Sequence, residues 1–107
     1  NKDGTAIDKG VLMCFSEKDG TFLWQAIHDK LESGQVNDWP REGVCAMPAA
    51  DGDKIYYTSN RCQLVCLDMF GMANGNQGFD KEKYATKTDA DVIWTVEMMK
   101  DLKVFPH

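Results

Sequence analysis

The stretch Lys54-Ile-Tyr-Tyr-Thr-Ser-Asn-Arg-Cys-Gln-Leu-Val-Cys-Leu-Asp68 decides the fold. Ile55-Tyr-Tyr-Thr58 within its first six residues are β-branched and aromatic, the side chains that suit a pleated, half-buried surface. Asn60-Arg61 turns the chain, and residues 62–68 run back as a second strand. Working outward, Gly43-Val-Cys-Ala-Met-Pro-Ala49 reads as a strand, with Pro48 near its end where a missing donor is tolerated. Ala50-Asp-Gly-Asp53 makes the turn into Lys54. Downstream, Asp91-Val-Ile-Trp-Thr-Val-Glu97 regains strand character, and Met98–Leu102 either begins a helix or continues as connection. Residues 69–90 between them are irregular, marked by Gly71, Gly75 and Gly78 with Asn74 and Asn76. A loop this long inside a domain calls for a reason.

The N-terminal part holds a second unit of the same kind. Residues 10–16 are apolar and β-prone, Asp19-Gly20 is a hairpin turn signal, and residues 21–27 form the return strand. Residues 28–43 are polar and interrupted by Gly34, Asn37-Asp38 and Pro40, a connecting loop with one short helical turn expected near Asp29 to Glu32. The fold class is therefore all-β.

The two units repeat one another. Leu12 matches Leu64, Cys14 matches Cys66, Gly20 matches Gly71, and each copy ends in a Trp, Trp24 and Trp94, preceded by Phe22-Leu23 or Val92-Ile93. The second copy carries an insertion between Gly71 and Trp94. A repeated antiparallel unit that cannot bury both faces alone is expected to stack radially, as in a propeller.

The run from Gly52 to Asn60, then Gln63-Leu-Val-Cys-Leu-Asp68, Gly71 and Trp94 resembles the PQQ-like repeat of quinoprotein alcohol dehydrogenase-like β-propellers. Residues Leu12 to Trp24 resemble the second half of the same repeat. The resemblance covers about two thirds of the chain. It implies a partial β-propeller of four-stranded antiparallel blades, part of a larger seven- or eight-bladed ring. On that reading residues 1–27 are the second half of one blade and 28–43 an inter-blade loop. Residues 44–97 are a complete blade with an insertion at 69–90, and 98–107 start the next connection. The resemblance also gives Gly20, Trp24, Gly71 and Trp94 a blade-docking role and implies a periplasmic or secreted setting. Two departures stand out: Arg61-Cys62 replaces the usual Asp-Gly, and Cys14 and Cys66 replace a small Ala.

Function is expected to be that of a non-catalytic scaffold, structural or protein-binding. The alternative implied by the resemblance is a PQQ- and Ca²⁺-dependent dehydrogenase of alcohols or sugars. The vicinal Cys pair common in such dehydrogenases is absent from the sequence. The expected partner is the remainder of the propeller, from the same polypeptide or from other fragments. Asn1 at the start and the apolar Val104-Phe105-Pro106-His107 at the end are read as edges of a longer product.

Composition agrees with a folded domain. The 107 residues are 43% hydrophobic with three Trp. A net charge of −5 supplies no basic stripe for phosphates, so nucleic acid is not an expected partner. No apolar run reaches the ~20 residues of a helical membrane span.

Candidate chemistry is sparse. Asn74, Asn76, Asp80 and Glu82 alternate oxygen donors with Gly as a loose Ca²⁺ loop, without EF-hand spacing. Asp38, Asp89 and Asp91 sit where a quinoprotein's carboxylates would have to lie, and equally where Asp caps turns, the preferred reading. His28 and His107 make no zinc signature, alone or with Cys45, Cys62 and Cys66. Cys14, Cys45, Cys62 and Cys66 are either two disulfides or small core residues. Cys62 and Cys66 lie roughly 13 Å apart along a strand and cannot bridge each other. Trp39 either anchors a partner or folds back to plug its own loop, the second being preferred.

Overall fold

Six strands form two antiparallel sheets in the computed structural model, which describes residues 7–31 and 38–104. The first sheet pairs β1 (Lys9–Phe15) with β2 (Phe22–Asp29). The second is a four-stranded meander of β3 (Ala49–Asp51), β4 (Lys54–Thr58), β5 (Gln63–Asp68) and β6 (Asp91–Glu97). One helical turn, α1 (Met98–Asp101), follows β6, so the chain past Glu97 does enter a helix. No helix among the described residues is long and apolar enough to cross a membrane.

The β1–β2 hairpin closes as its Asp-Gly signal predicts. Ser16 N–H donates to the Thr21 carbonyl and Gly20 N–H to the Ser16 carbonyl, each at 2.8 Å, while the Asp19 carboxylate accepts from Thr21 N–H. At the β4–β5 turn Cys62 has φ +57°, a left-handed conformation that glycine takes most readily.

Two expectations are corrected. The strand expected over 44–49 is instead Ala49–Asp51, pairing with Lys54–Tyr56. Pro48 has no N–H for the ladder, and pairing starts only after it. No helical turn forms at the start of the connecting loop: Asp29 ends β2, Lys30 and Leu31 are irregular, and Glu32 lies outside the described residues.

The core lies between the sheets. One face of β1–β2 contributes Leu12, Cys14, Trp24 and Ala26; the second sheet answers with Ile55, Tyr57, Val65, Leu67 and Val92. Strand alternation turns Tyr56, Cys66 and Trp94 of the second sheet to its far side.

Register reveals the repeat at atomic level. In the first sheet Leu12 faces Ala26 and Cys14 faces Trp24; in the second Leu64 faces Val96 and Cys66 faces Trp94. A register shift follows the Cys in both, at Cys14/Phe15 and at Cys66/Leu67. The Leu–Cys–Trp face of the first sheet is seated on the opposite face of the second, so the sheets stack head to tail.

Candidate functional site

The inter-sheet seam brings together two of the four residues expected to dock blades. Trp24 is buried and its Nε1–H donates to the Met69 carbonyl at 2.9 Å. Its ring lies against Gly71, where a Cβ would come within 2.7 Å of Trp24 Cδ1. Gly71 also has φ +58°, so a side chain there is excluded twice over. The structure does not bring Gly20 or Trp94 to this seam. Gly20 is an exposed turn residue with nothing near the position of a Cβ. Trp94 is 40% exposed on the far side of the second sheet. There its ring and that of Tyr56, centroids 6.0 Å apart, flank the row occupied by the buried Cys66.

The insertion wraps over the side of the seam. Phe79 N–H donates to the carbonyls of Val92 and Ile93, at 3.1 and 3.0 Å, which ties the loop to β6. Gln25 N–H donates to the Thr88 carbonyl and Ala90 N–H to the Gln25 carbonyl, forming a short parallel bridge to β2. The Asp29 carboxylate then collects the Lys83 ammonium at 2.5 Å, the Tyr84 hydroxyl at 2.8 Å and the Lys9 ammonium. These donors, Lys83 first, hold the Asp29 carboxyl well below the usual carboxylate range.

Beneath the insertion is an inter-sheet cleft of about 310 Å³. Ala26, Val65 and Val92 give it aliphatic walls, while His28, Arg61 and Glu97 add polar groups. His28 Nε2 shares a 2.6 Å hydrogen bond with the Tyr57 hydroxyl. Burial, and secondarily the Arg61 charge, push the His28 pKa down to about 4, so its imidazole is neutral at pH 7. Burial also raises the pKa of the Tyr57 hydroxyl. Arg61 Nη1 donates to the carbonyls of Asp29 and Lys30, at 3.1 and 3.2 Å, and Glu97 accepts from the Gln63 amide. The sequence offers His28 only as a zinc-ligand candidate and gives the Arg61 side chain no role, because their partners lie about thirty residues away along the chain.

The remaining candidates resolve locally. Asn74 donates its amide to Asp68 at the end of β5 at 3.1 Å and Asn76 donates to Glu82 within the loop at 3.2 Å, so both amides are used as donors. Asp80 is exposed. Among the described residues no three His, Cys, Asp or Glu side chains converge as a metal set. The three aspartates brace local backbone, Asp38 and Asp89 from loops and Asp91 from the first position of β6. Asp38 binds Lys30, Leu31 N–H and Asn60; Asp89 binds the Thr86 N–H and hydroxyl; Asp91 binds Gln77 N–H. Trp39 is 56% exposed. All four cysteines are free thiols: Cys62 and Cys66 are buried, Cys14 half-buried and Cys45 exposed. His107 lies outside the described residues. Compared with known proteins, the chain matches no family model, no curated protein and no solved structure.

Proposed function

We propose that the chain is a segment of a PQQ-like repeat β-propeller and serves as a non-catalytic scaffold. The observation that carries this reading is the head-to-tail stacking of two sheets with the same Leu–Cys–Trp face. Head-to-tail association uses two different surfaces, so each added sheet leaves the same unfilled surface for the next. Trp94 occupies the position on the second sheet that Trp24 occupies on the first. Its natural occupant is the back of a further sheet, with the indole N–H donating to a carbonyl there. Such a series closes only as a ring. The partner is therefore the remainder of the propeller, and the periplasmic or secreted setting belongs to the same proposal.

What supports the scaffold reading is that the candidate carboxylates hold local backbone and side-chain donors. The test is hydrogen exchange and native mass on the intact product. A propeller segment protects the Trp94 indole N–H from exchange and runs in a species larger than 12.0 kDa. A cooperatively folded 12.0 kDa monomer with an exchanging Trp94 indole overturns it. Saturable binding of PQQ with Ca²⁺ by the intact product replaces the scaffold with the dehydrogenase alternative.

A further inference from the structure

The inter-sheet cleft is not explained by the repeat, since the roof comes from the insertion that the first copy lacks. Most charged groups around it are already matched. Asp29 is held by Lys9, Lys83 and Tyr84, and Glu82 accepts from Asn76 and from Val92 N–H. Two groups are left partly uncommitted. Arg61 uses Nη1 for backbone carbonyls, while among the described residues Nε and Nη2 have no acceptor and no carboxylate lies within 4.0 Å. Glu97 accepts at Oε1 from Gln63, and its Oε2 has no donor among the described residues. Opposite charges thus line one cleft without pairing with each other.

We propose that this cleft binds a small zwitterion, an aliphatic α-amino acid, with its carboxylate on Arg61, its ammonium on Glu97 and its side chain against Ala26, Val65 and Val92. A guanidinium edge with two N–H groups matches a carboxylate, and an ammonium matches a carboxylate oxygen. The volume of about 310 Å³ is at the small end of ligand sites, enough for an amino acid and too small for a folded partner. The aliphatic walls supply apolar burial and leave the two charges to fix orientation. Arg61 comes from the β4–β5 turn, the other contact residues from β2, β5 and β6, and the roof from the insertion, so the site stands whether or not the propeller closes.

The experiment is titration of the intact protein with L-leucine, followed by amide and methyl chemical shifts. The single-charge probes are 4-methylpentanoate and 3-methylbutylamine. Leucine is expected to give saturable shifts at Ala26, Val65 and Val92 and to bind more tightly than either probe. Glu97→Gln retains an acceptor for the Gln63 amide and removes the charge. It is expected to weaken leucine by about tenfold or more while leaving 4-methylpentanoate unchanged. Absence of saturable shifts at millimolar leucine in the folded protein overturns the proposal. So does equal affinity for leucine and a single-charge probe, or unchanged leucine affinity in Glu97→Gln.

Discussion

The Trp24 indole of the first sheet donates a hydrogen bond to the carbonyl of Met69, the residue just past β5 of the second sheet and 45 positions away, at 2.9 Å. This bond and the ring's contact with Gly71 fix how the two sheets sit on one another. Burial of so large a ring supplies much of the seam's stability, and the hydrogen bond sets its register.

Truncating this anchor therefore separates packing from hydrogen bonding. Trp24→Ala is expected to destabilise the fold by about 3–5 kcal/mol through the lost ring and the cavity left behind. Trp24→Phe keeps most of the ring but leaves the Met69 carbonyl without its donor, at about 1–3 kcal/mol. Gly71→Ala combines a left-handed backbone with a clash on Trp24, and about 2 kcal/mol or more is expected. Urea midpoints at a common slope check all three. A Gly71→Ala protein as stable as the parent would contradict the close approach.

The insertion is expected to open without unfolding the sheets. Its links to the first sheet are the short bridge at Gln25 and the donors on Asp29, a half-exposed carboxylate. Exposed ion pairs contribute about 1 kcal/mol or less. Asp29→Asn should speed amide exchange over residues 82–86 while moving the global midpoint little. Gly78→Ala attacks the other anchor: φ is +68°, and a Cβ there would run into the Ile93 backbone. The same region should loosen, with a larger global loss. If exchange in the insertion is unchanged in both variants, the roof over the cleft is held by something else.

How much of this was legible in the sequence differs by element. β4 and β5 announce themselves through Ile55-Tyr-Tyr57 and Leu64-Val65, whose alternation fits a sheet with a covered face. The matching of Leu12 and Cys14 with Leu64 and Cys66 is legible in their equal spacing, and that of Trp24 with Trp94 in the apolar pair before each, across the insertion. β3 was misplaced, since Val44 looks like strand yet packs against the core from irregular backbone ahead of Pro48. The cleft was not legible. Arg61 meets Asp29 and Lys30 across 32 and 31 residues, and Tyr84 meets Asp29 across 55. No local pattern encodes such meetings.

His28 should make the fold sensitive to mild acid. Its pKa falls from 6.5 to about 4 because burial penalises the imidazolium, with Arg61 adding repulsion and Asp29 opposing it. A depressed folded-state value means the stabilisation is present above the unfolded value and is lost as pH falls from about 6.5 toward 4. The full loss is roughly 3 kcal/mol at about 1.4 kcal/mol per pH unit. The imidazole resonances of His28, assigned apart from those of His107, should titrate near pH 4. His28→Phe should flatten the stability profile in that window while costing stability at neutral pH, where the Tyr57 bond is lost.

Asp91 carries the opposite sign. It is fully buried, faces the buried Asp68 across the β5–β6 ladder, and both its oxygens accept from Gln77 N–H at 3.1 Å. Burial raises its pKa most, and the Asp68 and Glu82 charges raise it further, while the Gln77 bond and Lys54 pull the other way. A raised folded-state value means the stabilising contribution is present below the unfolded value of 3.8 and disappears as pH rises through the folded one. At neutral pH the carboxylate is therefore a liability that Asn would not share. Asp91→Asn keeps an oxygen for Gln77 N–H and places an amide donor opposite the Asp68 carboxylate. The variant should be more stable than the parent near neutral pH, with the gain shrinking as both are acidified below the carboxylate range. Urea midpoints on either side of that range decide it. A variant less stable by the same margin at both would show that Asp91 acts through the shape of its hydrogen bonds alone, with its charge playing no part.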